Sequence, residues 1–71
     1  MKYRDFIALI ELYNFKLLRH GATSHRQYEG IVSGRRMIVT ISGRDGDDIK
    51  PDNLASMKRQ SGLPKKAFQK R

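Results

Sequence analysis

Glycine interrupts residues 15–41 at positions 21, 30 and 34, cutting the middle of the chain into pieces of eight residues or fewer. Pieces that short suit strands rather than helices. Phe15–Arg19 alternates loosely, Gly21 breaks it, and His25–Glu29 gives a second strand pattern. Gly30–Gly34 then holds a turn with Ser33-Gly34 at its tip. Met37–Ile41, "MIVTI", is rich in β-branched residues and carries the strongest strand signal of the chain. Three short strands joined by short links imply an antiparallel meander.

The flanks follow a different period. In residues 3–14, Phe6, Leu9, Ile10 and Tyr13 share one stripe at helical spacing, with Asp5 in the first turn and Asn14 as a left-handed stop. Pro51 suits a first helical position, and Leu54, Met57 and Ser61 share a face. Gly62-Leu63 forms the stop, and Pro64 prevents continuation. The expected architecture is therefore α+β, in the order α-β-β-β-α, with a three-stranded antiparallel sheet and both helices on one face. Residues 1–63 form the expected domain, and 64–71 a mobile basic tail.

Such a sheet leaves its other face open. Alternation puts Phe15, Leu17, Tyr28, Met37, Val39 and Ile41 toward the helices, with Arg26 inward or at the rim. Lys16, Leu18, His20, His25, Gln27, Ile38 and Thr40 then face out. This predicts a polar platform with a histidine near its middle.

The 71 residues allow one small domain, burying only about 60% of its unfolded surface. Cysteine is absent, so no disulfide or thiolate site can brace it. No apolar run approaches the ~20 residues of a membrane span, and early charges oppose a signal peptide. The expected location is the cytosol.

Net charge is +8 and uneven. Residues 1–49 set eight basic against six acidic side chains, whereas residues 50–71 set seven against one. The last third is thus the footprint for a polyanion, of which nucleic acid is the first choice. Lys58-Arg59 and Lys65-Lys66 suit an RNA backbone, which cations grip without reading sequence.

His25 is the candidate for chemistry. Histidine titrates near neutral pH, so an accessible ring can move a substrate proton. In RNA that proton sits on the 2′-hydroxyl, and nearby cations stabilise the charge of the reacting phosphate. Thr23 and Ser24 organise the approach or donate to a phosphate. Ser24 and His25 are adjacent in a strand, so their side chains diverge and do not form a hydrolase pair. His20 reads as a strand-end residue. Asp45, Asp47 and Asp48 resemble the opening of a calcium loop, but its twelfth position is Ser56 rather than Glu. No metal or other cofactor is therefore expected, and no Walker loop, dinucleotide glycine pattern or GxSxG elbow is present.

Four ordered stretches carry a resemblance: "KYRDFIALIE", "FKLLRHGATSHRQY", "RRMIVTI" and "DIKPDNLASMKRQSGL". Ser24-His25 with Tyr28, and Lys50-Pro51 with the Gln60–Leu63 ending, are the most specific parts. Over residues 2–63 the chain resembles the HicA-type mRNA interferase toxins of bacterial toxin–antitoxin pairs. The resemblance implies a double-stranded-RNA-binding-like fold, RNA cleavage by a single histidine at His25, and a HicB-type antitoxin that blocks the active surface. Thr23 stands where that family usually has glycine, Asn14 replaces a helix-ending glycine, and Ser42 and Arg44 replace a proline and a second histidine.

The combined expectation is a metal-independent endoribonuclease with His25 as its catalytic group. Ser24, Arg26, Lys50, Lys58 and Arg59 are the expected RNA contacts. The rivals are an RNA-binding module of the same fold that does not cut, and an interaction domain whose charge serves only an acidic protein.

Overall fold

The computed structural model describes residues 1–21 and 25–69. It contains α1 (Tyr3–Glu11), β1 (Lys16–His20), β2 (Arg26–Val32), β3 (Arg35–Ile41), α2 (Pro51–Ser61) and a 3-10 turn, Lys65–Phe68. The strands form one antiparallel sheet in the order β1-β2-β3. The α-β-β-β-α order and the open sheet match the expectation from sequence.

Both helices face one core, but the buried stripe of α1 is Tyr3, Phe6, Ile7 and Ile10 rather than the expected Phe6, Leu9, Ile10 and Tyr13: the helix ends at Glu11, and Tyr13, in the turn beyond it, stays exposed. Phe6 and Ile10 of α1 and Met57 of α2 join Phe15, Tyr28, Val39 and Ile41 from the sheet side. Ser61, the one buried polar residue among the described residues, donates to the Lys58 carbonyl at 2.7 Å and accepts from the Leu63 N–H at 3.1 Å. α2 ends at Gly62, whose φ of 68° is the left-handed stop expected there. Asn14 also has positive φ, although α1 itself ends at Glu11 and a turn spans residues 12–14.

The first unfree backbone groups of α1 are satisfied unusually. No side chain caps it; instead the N–H groups of Tyr3 and Arg4 donate to the carbonyls of Asp47 and Asp45. The acidic loop before α2 therefore serves α1 through its backbone.

Three local features depart from simple alternation. Gly30 is not a turn residue but lies inside β2, because a Cβ there would come within 2.7 Å of the Phe15 ring. The turn is confined to Ser33 and Gly34, both at positive φ, as a two-residue primed hairpin requires. In β1 the pairing runs Leu17 with Tyr28 and then Arg19 with Gln27, leaving Leu18 as a bulge. The bulge reverses the parity of the strand end: His20 joins the row of Arg26 and Ile41 rather than the open face. Leu17 keeps its inward row but stays 51% exposed at the sheet edge.

The basic segment after Pro64 is packed rather than free as far as Phe68. Ala67 is buried, and the Phe68 ring stacks on Phe6 at 5.5 Å between centroids. Lys58 Nζ lies over the same ring at 5.5 Å. Aromatic burial and stacking hold the segment down despite its charge.

Phe68→Ala should therefore cost about 2 kcal/mol, less than for a fully buried ring. Gly30→Ala should cost about 1–3 kcal/mol by overpacking against Phe15. Urea unfolding of the two variants measures both.

Candidate functional site on the open sheet face

The open face is ordered by cross-strand rows. Arg19, Gln27 and Thr40 form one row, and Lys16, Glu29 and Ile38 the next. His25 is exposed and immediately precedes β2. It lines a shallow depression of about 280 Å³ with Arg19, Gly21, Gln27 and Thr40. Gly21 closes the loop by donating its N–H to the His25 carbonyl at 3.0 Å.

The structure thus brings His25, Gln27 and Thr40 together as alternation predicts. It substitutes Arg19 for His20, because the bulge turns Arg19 onto the row of Gln27. Nothing in the sequence period marks Arg19, since a bulge shifts parity without changing composition. The far rim is tied to α2, where the Gln60 side-chain oxygen accepts the Thr40 N–H at 2.9 Å.

Arg26 lies inward at the rim of the sheet, as alternation predicts. It is half-buried, and one guanidinium nitrogen donates to the Gly43 carbonyl at 3.1 Å and to Asp45 Oδ1 at 2.8 Å. It therefore fastens the loop that caps α1 to the first residue of β2, next to His25. Burial pushes the Tyr28 phenol above its ordinary range, while the Arg26 guanidinium beside it pulls the other way.

The remaining expected contacts stand apart from the depression. Lys50 is exposed just before α2, and Arg59 is exposed near its end. Lys58 is half-buried and engaged with Phe68. Ser24, like Thr23, falls outside the described residues. Among the described residues, no group of three or more His, Cys, Asp or Glu side chains could hold a metal ion. No described helix is long and apolar enough to cross a membrane.

A family model, "HicA toxin of bacterial toxin-antitoxin", matches residues 3–63. The chain belongs to the HicA toxin family. Searches of curated proteins and of solved structures gave no significant match. As a HicA-family chain it is the toxin side of a toxin–antitoxin pair, with an antitoxin as its general partner. The matched span ends at Leu63, so the packed Ala67 and Phe68 lie beyond it.

The placement of Arg26 can be tested by stability. Arg26→Ala should lose about 1–2 kcal/mol, because the Gly43 carbonyl loses its charged donor. Asp45→Ala should lose only about 0.5 kcal/mol, since that carboxylate is largely in water. Chemical denaturation of both variants distinguishes this role from a purely surface cation, whose removal would leave the midpoint unchanged.

Proposed function

We propose that this HicA-family toxin is an mRNA endoribonuclease in which His25 is the acid–base group, working without a metal ion. The observation that supports this most directly is the company of His25: an exposed imidazole in a depression shared with Arg19, on a face left open by both helices.

The imidazole removes the proton from a 2′-hydroxyl of the bound RNA. The 2′-oxygen forms a bond to the adjacent phosphorus, and the bond from phosphorus to the 5′-oxygen breaks. The leaving 5′-oxygen takes a proton from water or from the imidazolium, and the other fragment ends in a 2′,3′-cyclic phosphate. Charge builds on the non-bridging phosphate oxygens during the step, and the Arg19 guanidinium is the cation in the depression to meet it. Gln27 and Thr40 supply polar groups for orientation. Lys50, Lys58 and Arg59 hold the RNA backbone away from the reacting bond, Lys58 while also covering Phe68. Ser24 donates to a phosphate, and Arg26 acts by fixing the strand that carries His25.

A HicB-like antitoxin neutralises the toxin by covering this open face. The site serves cytoplasmic mRNA, the substrate class that the family resemblance implies.

Purified protein incubated with RNA in EDTA should cleave it, and His25→Ala should lower the rate by about 10²–10⁴-fold while the fold persists. Arg19→Ala should also lower the rate, with Arg19→Lys restoring part of it. Binding of RNA without cleavage by the wild type would instead establish a binding module, and cleavage abolished by EDTA would overturn the metal-free mechanism.

A further inference from the structure

A second depression of about 430 Å³ lies on the same open face, lined by Asn14, Lys16, Glu29, Gly30 and Ile31. Its relation to the His25 depression is set by strand register. Lys16 pairs with Glu29, and Arg19 pairs with Gln27, so the two hollows follow one seam between β1 and β2. Their nearest β2 residues, Gln27 and Glu29, are two apart, or about 7 Å. The bulge at Leu18 lies between them and is 44% exposed.

The chemistry of the second hollow suits a nucleotide. Glu29 is held by an ion pair with Arg36 across β2 and β3, which offsets its charge. Lys16 and Arg19 then leave the seam net positive, matching an anionic ligand such as an RNA backbone rather than a cation. Ile31 is 64% exposed on this face, a large apolar side chain in water beside polar Asn14 and Lys16. An apolar platform with polar groups around it fits a base with its sugar–phosphate edge. The floor is Gly30, whose inner side is filled by Phe15, so the hollow is backed by packed core and cannot collapse inward.

We propose that this hollow is a second nucleotide subsite, so that a single RNA strand runs along the β1–β2 seam with one nucleotide over Ile31 and its phosphate at Lys16. The inference rests on the assignment of the His25 depression to RNA, which it extends with a neighbouring position.

The test measures affinity of the full chain for 2′-O-methyl RNA, which binds but cannot be cut, as a dinucleotide and as a pentanucleotide. The wild type should bind the longer RNA about tenfold more tightly. Lys16→Ala and Ile31→Ala should each remove most of that gain, and Lys16→Ala should reduce the salt slope by about 0.7, one single-strand phosphate contact. Arg4→Ala, which removes a charge on α1 away from this face, should keep the gain. An unchanged length gain in Lys16→Ala and Ile31→Ala, or no RNA binding at either length, overturns the subsite. Cleavage of unmodified RNA is scored separately: a length gain without cleavage retains the subsite and overturns the ribonuclease, whereas cleavage with no length gain does the reverse.

Discussion

The contact between the Phe15 ring and the backbone of Gly30 governs the sheet. A β-carbon at position 30 would come within 2.7 Å of the ring atoms, so the two residues meet this closely only because one has no side chain. The contact seats β1 on β2 with Phe15 in the core and Lys16 outward. Beyond that end, β1 carries one residue more than the stretch of β2 it pairs with. The extra residue is absorbed as the bulge at Leu18, and Arg19 arrives opposite Gln27. The guanidinium beside His25 is thus placed by an irregularity a few residues beyond that apolar contact.

The basic residues divide by task. Arg26 is drawn inward to the Gly43 carbonyl and Asp45, Arg36 is committed to Glu29, and Lys58 covers an aromatic ring. Arg26 and Arg36 use their charge within the molecule, and Lys58 uses part of its own there. Lys16 and Arg19 line the hollows of the open face, where an RNA backbone would meet them. Net charge therefore overstates what is offered to a polyanion, and the register of two strands says more than the total.

The element order was legible because each signal was local: helical periods at the flanks, β-branched residues in Met37–Ile41, and the left-handed stop at Gly62. The inward row of Tyr28, Val39 and Ile41 followed from alternation. The reading failed where a residue's role depends on a distant partner. Gly30 looked like a turn because glycine usually marks one, yet its role is set by Phe15. His20 was placed on the open face because alternation carries no sign of a bulge. Phe68 was assigned to a tail because the charges around it are local, while the Phe6 ring that holds it is not. For the site, His25, Gln27 and Thr40 could be grouped from period alone, but Arg19 could not.

The two borders of the sheet are finished in different ways. On β3, a side chain from α2 occupies a backbone donor, since Gln60 takes the Thr40 N–H. On β1, the ladder is broken by the bulge, and Lys16 and Arg19 flank it with like charge. A straight, apolar border would offer a template for another copy of the chain, and Leu17 and Leu18 supply the apolar character. The irregularity at Leu18 spoils that template. The kink that turns Arg19 toward His25 thus also discourages stacking of the toxin into sheets with itself.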